Sequence, residues 1–172
     1  MFRNAIRVTA ILVAALAIPV TVLTAAPSAY AGSRLCETNA SNNYCLGSAD
    51  TSFYTSIVTK STGRDLNLTP LGSSYLGYPL YLIQFSSVAA DCVGVSNDVS
   101  HVEIKPCNGG TGTYWAEEKV SSGHIYFINR YATEHVNDGK AQFLTGKNTA
   151  DTSFFTADPN ACCGDYQVYE WK

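Results

Sequence analysis

The chain has 172 residues, 46% hydrophobic, 12% aromatic and 15% charged, with a formal net charge of −3. That length suits one domain with a core of its own. An acidic balance without basic runs argues against nucleic acid as the partner, and the aromatic content argues against a disordered chain.

Residues 1–31 read as a secretory signal peptide. Arg3 and Arg7 make a basic start, an apolar run extends from Ala10 to Ala26, and Ala29-Tyr30-Ala31 supplies a small-residue cleavage site. Cleavage leaves 141 residues, Gly32 to Lys172, with a net charge of −5 because both lost charges are basic. No later stretch has about 20 consecutive apolar residues, so no membrane span is expected after cleavage. Residues 32–44 are polar and read as an N-terminal arm tethered by Cys36, with Arg34 and Leu35 as its candidate partner-binding residues. Such an arm can add to a partner's sheet edge or enter a cleft.

The folded domain is expected over 45–172. Helical periodicity is nearly absent, and short runs with β character recur at 55–59, 80–85, 91–95, 101–105, 124–128, 141–144 and 166–171. Several alternate apolar and polar residues, as half-buried strands do. Turn chemistry fills the gaps, at Ser96-Asn97-Asp98, Asn108-Gly109-Gly110, Asn137-Asp138-Gly139 and Asp158-Pro159-Asn160. Many short strands at regular spacing predict an all-β sandwich or barrel.

All six cysteines follow the signal segment: Cys36, Cys45, Cys92, Cys107, Cys162 and Cys163. An even number in an exported chain predicts disulfides, with 15 connectivities open in principle. Adjacent Cys162 and Cys163 are poor partners for each other. They are expected to reach back to Cys36 and Cys45, tying the two chain ends together. The spacing of a zinc site is missing: there is no C-x-x-C and no H-x-x-x-H.

A weak internal repeat organises these runs. Cys45-Leu46-Gly47, Cys92-Val93-Gly94 and Phe143-Leu144-Thr145 look like one strand three times. Each precedes an apolar-x-apolar-x-Pro element: Leu66–Pro70, Val102–Pro106 and Phe155–Pro159. Aromatic strands follow at Tyr78–Phe85, Thr113–Trp115 and Gln167–Trp171. On this alignment the first unit carries an insertion around Thr51–Ser61, a second place where a partner could dock. Three units that cannot bury their apolar faces alone imply a pseudo-threefold fold.

At these residues the sequence resembles a ricin-type β-trefoil. The middle unit carries most of the likeness, in Cys92-Val-Gly-Val95, Val102-Glu-Ile-Lys-Pro-Cys107 and Asn108–Trp115, and Gln167-Val-Tyr169 is a version of the family's Gln-x-Trp strand. The resemblance covers Cys45 to Trp171. It implies that the two cysteines of a unit pair, hence Cys92 with Cys107, closing a loop worth about 3 kcal/mol. It also implies sugar binding, through an Asp in a Cys-Leu-Asp-Val strand. That position is Gly47, Gly94 and Thr145 here, so the carboxylate is missing from all three units, and a function inherited from the scaffold alone would be analogy.

Candidate ligand-binding residues are Tyr114, Asn97, Asp98, Asn108 and Gln167. Strand alternation points Tyr114 outward and sends Trp115 to the core, where Trp171 is also expected. Asn97, Asp98 and Asn108 sit in turns that favour Asn and Asp for backbone reasons. His101, His124 and His135 lack a G-x-S-x-G elbow or an H-E-x-x-H pair around them. Glu117 and Glu118 face opposite ways and cannot act as an acid/base pair, and they are expected at a solvated strand end. Asn39-Ala-Ser41 and Asn67-Leu-Thr69 match the glycosylation acceptor pattern of a eukaryotic secretory pathway.

The chain therefore reads as a secreted, disulfide-tied β-trefoil without catalysis, cofactor or metal. The leading expectation is a protein-binding adaptor or subunit of an extracellular toxin or lectin assembly. The alternative is a stand-alone carbohydrate-binding lectin, and a protease inhibitor or secreted hydrolase is a distant third.

Overall fold

The computed structural model describes residues 32–38, 44–48, 50–121, 123–136, 140–147, 149–158 and 167–172. Its strands are β1 (Leu35–Glu37), β2 (Cys45–Ser48), β3 (Ile57–Lys60), β4 (Leu66–Tyr75), β5 (Tyr78–Phe85), β6 (Val88–Val95), β7 (Val102–Pro106), β8 (Trp115–Ser121), β9 (His124–Asn129), β10 (Phe143–Thr145), β11 (Phe155–Ala157) and β12 (Tyr169–Trp171). A 3-10 turn at Gly110–Thr113 and a six-residue helix, α1 (Arg130–His135), complete the described elements. Asn129 caps that helix, its Oδ1 accepting from the Ala132 amide at 3.0 Å. The signal segment, Asn39-Ala-Ser41, Asn137-Asp138-Gly139, Pro159 and Cys162-Cys163 lie outside the described residues.

Six strands close into an antiparallel barrel. β4 pairs with β5, β5 with β8, β8 with β9, β9 with β12, and β12 with β1. A bridge between Ser33 and Leu66 closes the ring, with the Leu66 amide donating to the Ser33 carbonyl at 2.8 Å. Three hairpins, β2–β3, β6–β7 and β10–β11, make the cap. This is the β-trefoil arrangement.

Strand register shows the threefold repeat directly. Leu46 faces Thr59, Val93 faces Ile104, and Leu144 faces Thr156. Three layers of the core then follow, each with one residue per unit: Leu46, Val93 and Leu144; Ile57, Val102 and Phe154; Leu66, Trp115 and Tyr169. All nine have no exposed surface. Each contributes roughly 1.5–3 kcal/mol by burial, which is why short strands suffice. Two layers are also tied by backbone or polar bonds. Val102 N donates to Phe154 O and Phe154 N to Ile57 O, at 2.8 and 2.9 Å. The Trp115 indole donates to Val93 O at 2.8 Å, and the Tyr169 hydroxyl donates to the equivalent carbonyl of Leu144 at 3.3 Å.

The expected repeat frame holds in the middle and last units but is displaced in the first. The partner of β2 is Ile57–Lys60, not Leu66–Pro70. Thr51–Ser61 is therefore no insertion, because it contains the missing second strand. Leu66 instead opens the barrel hairpin and stands where Trp115 and Tyr169 stand. Pro70 is tolerated within β4 because, past the bridge at Leu66, β5 is that strand's one partner among the described strands.

The N-terminal arm is also corrected. Leu35 is fully buried and pairs with Trp171, so residues 35–37 are a barrel strand rather than a free arm, and Leu35 cannot dock a partner. Cys36 lies directly across from Cys45 on adjacent strands, and these two form a disulfide. The expected reach to Cys162 and Cys163 is thereby excluded. Cys92 pairs with Cys107 as the resemblance implied. Both bridges fit an oxidising compartment.

Candidate functional site

A cavity of about 200 Å³ opens in the middle unit, lined by Asn97, Lys105, Gly109, Gly110, Thr111, Gly112 and Tyr131. The β6–β7 hairpin supplies its floor. Lys105 Nζ donates to Val95 O and to Asn97 Oδ1, each at 2.9 Å, and lies 3.5 Å from Glu103 Oε1. Both Lys105 and Glu103 are buried, so the charge is matched where water cannot screen it. The Tyr131 hydroxyl donates to Asn97 O at 3.1 Å, and its ring stacks on His135 with centroids 3.8 Å apart. The cavity wall is thus held by named bonds, with Lys105 Nζ and the Tyr131 hydroxyl both donating within the protein.

Beside the cavity, the β6–β7 loop is stapled by Asp98. Its Oδ1 accepts from Ser96 Oγ at 2.6 Å and from Ser100 Oγ at 2.7 Å, and these bonds hold the carboxyl far below the usual range. His101 Nδ1 sits 2.9 Å from Ser100 Oγ, and its Nε2 sits 3.4 Å from Glu103 Oε2.

The cavity explains the missing carboxylate. A Cβ built on Gly94 would lie 2.8 Å from Lys105 Cδ and 3.1 Å from Thr113 Cγ2. In the first unit a Cβ on Gly47 would meet Lys60 Cγ at 2.6 Å. Lys60 and Lys105 occupy the same register position, opposite Cys45 and Cys92. In two units, then, a lysine stem packs against the glycine where a side chain would begin. In the third, Thr145 is buried and accepts from Gln167 Nε2 at 3.0 Å.

The sequence-predicted ligand residues do not converge. Asn97 reaches the cavity. Asp98 is spent on its own loop. Asn108 lines a different depression with Ala90, Pro106 and Cys107. Gln167 is fully buried in the third unit. Tyr114 packs half-buried against a second apolar cluster around Leu80 and Phe143. Trp115 is core as expected, while Trp171 packs against the core edge-on to Phe127, with centroids 6.4 Å apart. Glu117 corrects the expectation of a solvated strand end: it is buried, and burial pushes its carboxyl up. Glu118 accepts from the Tyr78 hydroxyl at 2.8 Å.

Two of the exposed large hydrophobic residues among the described residues are neighbours on the β2–β3 loop. Phe53 and Tyr54 are 44% and 64% exposed, edge to face at 6.4 Å. Asp50 pins the loop, its Oδ1 accepting from Ser52 N and Thr55 Oγ1 at 2.8 Å each. Tyr54 N donates to Ile104 O at 2.7 Å, and Ile104 N donates to Thr55 O at 2.9 Å. Tyr54 holds a φ of 67°, and its counterparts three residues before Val102 and Phe154, Val99 and Asp151, hold 55°. The fold therefore imposes the left-handed conformation, and the sequence spends one such position on an exposed tyrosine. Adjacent aromatics amid Ser and Thr were its only signal in the sequence.

No protein-family model matches the chain, and comparison with curated proteins finds no relative. Among solved structures, the designed 3-fold symmetric protein ThreeFoil is similar, with a TM-score of 0.59 at 16% identity, covering 81% of this chain and 96% of that one. A mosquitocidal holotoxin is similar, with a TM-score of 0.59 at 13% identity, covering 81% of this chain and 17% of the toxin chain. These likenesses agree with the register in making the domain a β-trefoil.

Proposed function

We propose that this chain is a secreted, non-catalytic binding module that attaches to a protein partner of an extracellular assembly through the Phe53–Tyr54 loop. The carrying observation is that two exposed aromatics stand side by side on a loop fixed by Asp50 and by backbone bonds to Ile104. Aromatic anchors on a pre-organised loop lose little entropy on binding, and such residues dominate interface energetics. Strain at Tyr54 supports the reading, since a bulky residue at positive φ is retained at a cost.

A native pull-down with the tagged protein from the producer's culture medium tests this. A stoichiometric protein partner, kept in free sugar and lost on Phe53→Ser with Tyr54→Ser, is the expected result. A partner indifferent to that double change removes the loop from the proposal. The cavity favours a second reading, a glycan binder using Asn97, Lys105 and Tyr131. Binding on a glycan array that disappears with Asn97→Ala would select it instead.

A further inference from the structure

Glu37 is fully buried, and neither of its carboxyl oxygens has a hydrogen-bond partner. It ends β1, opposite Tyr169 of β12. The register puts Phe85 and Asn129 at the same place in the other two units. Phe85 is apolar there, and Asn129 is satisfied, its Nδ2 donating to Gly112 O at 2.9 Å. Glu37 alone brings an unmatched acid to this position. It is also tightly enclosed, since a Cβ built on Gly146 would fall 1.5 Å from Oε1 and the Phe154 ring backs the same spot.

Among the described residues, the groups facing it offer no counter-charge. Just ahead of β2, the Tyr44 carbonyl accepts from the Glu37 amide at 2.9 Å. The segment after β10 presents Gly146. β12 presents the Tyr169 phenol, which burial and the Glu37 charge together push well up, so it stays neutral. A charged carboxylate cannot be held in such a place without a partner, whereas the neutral acid can.

We propose that Glu37 is a protonation latch on the β1–β12 seam, closed while its carboxyl is neutral and loosened as it ionises, so that β12 undocks while the Cys36–Cys45 bridge keeps β1 on β2. The seam is the place to yield. β12 has three residues. It is joined to β1 by the paired Arg34 and Lys172 backbone bonds at 2.9 Å and by Thr38 N to Val168 O at 2.9 Å. An element that short, held by few contacts, opens at lower cost than the long barrel strands. Burial also pushes the closed-state carboxyl up to about 8 from 4.5. The open state therefore releases its proton first. Closure is fully favoured below the ordinary carboxylate range, weakens as pH rises towards 8, and weakens no further once both states are ionised.

Amide hydrogen exchange of the full chain with intact disulfides, followed by NMR and corrected for intrinsic rates, tests the latch. The expected result is protection of Tyr169–Trp171 that falls roughly tenfold per pH unit between 5 and 8. Glu37→Gln should flatten that dependence, and Val93–Val95 should keep their protection throughout. The proposal is overturned by protection of Tyr169–Trp171 that ignores pH, by a fall that survives Glu37→Gln, or by an equal fall at Val93–Val95. Should the Gln variant not fold, carbon-13 titration of Glu37 in the unsubstituted protein decides: a midpoint near 8 supports the latch, and one in the ordinary carboxylate range sinks it.

Discussion

Restoring even one carbon at Gly94 should destabilise this protein, and the size of the effect follows from Lys105. The new Cβ would lie 2.8 Å from Lys105 Cδ, 3.0 Å from Cγ and 3.1 Å from Thr113 Cγ2. A free lysine stem would swing aside. This one is anchored at Nζ by Val95 O, Asn97 Oδ1 and Glu103, so relieving the clash breaks buried polar contacts. Overpacking of this kind costs about 1–3 kcal/mol. Replacing glycine in a strand returns roughly 0.5–1 kcal/mol of backbone entropy. The net loss for Gly94→Ala is therefore about 0–2.5 kcal/mol, centred a little above 1, and Gly94→Asp should lose more. Urea unfolding of Gly94→Ala, Lys105→Ala and the double variant measures it. The reasoning requires the double variant to lose clearly less than the sum of the singles. Additivity within about 0.5 kcal/mol would show that the lysine stem does not crowd the glycine. Gly47→Ala repeats the test in the first unit, where the nearest atoms are Lys60 Cγ and the immobile Cβ, so its loss should be at least as large.

Replacing Cys92 and Cys107 together by Ala should lower unfolding free energy by about 3 kcal/mol in denaturant titration, and replacing Cys36 and Cys45 should cost slightly less because the closed loop is shorter. Trp115→Phe keeps the ring in the core but removes the donor to Val93 O, so a loss of about 1–3 kcal/mol is expected, and a neutral result would mean that bond contributes nothing. Tyr54→Asn should raise the melting temperature, because Asn accepts a φ of 67° with less strain, while partner capture in the pull-down falls. Leu76→Asn, at φ 52° in the turn between β4 and β5, should also stabilise, and loss of stability there would show that the exposed leucine packs on something.

Much of the fold is legible in the chain because its evidence is local. Alternation along Val102–Lys105 and His124–Ile128 reports strands, since successive side chains face opposite ways. The same rule places Trp115 inward. Cys92-Val-Gly-Val95 followed by Val102–Cys107 is close enough to one repeat unit to give both its hairpin and its disulfide. The candidate site was less legible. Asn97 lines the cavity, yet Lys105 and Tyr131, from a strand and a helix, show no mark in the sequence of sharing it.

The sequence by itself determined the β class and the threefold repeat, and its resemblance to the ricin-type β-trefoil implied the middle-unit bridge and exposed the lack of that family's carboxylates. Only the tertiary structure decided the frame of the first unit. Ile57–Lys60 and Leu66–Thr69 are both short β-rich runs, and of the two it is Leu66–Thr69 that alternates apolar and polar residues, so local pattern points away from the run that pairs with Cys45–Ser48. It also decided that Leu35–Glu37 closes the barrel, because that strand's partner lies at the other end of the chain. Cys36 and Cys45 meet for the same reason: antiparallel register sets them face to face, a relation that spacing does not encode. The tertiary structure alone shows why glycine stands at Gly47 and Gly94, since the lysine that takes up each glycine's missing volume belongs to the neighbouring strand.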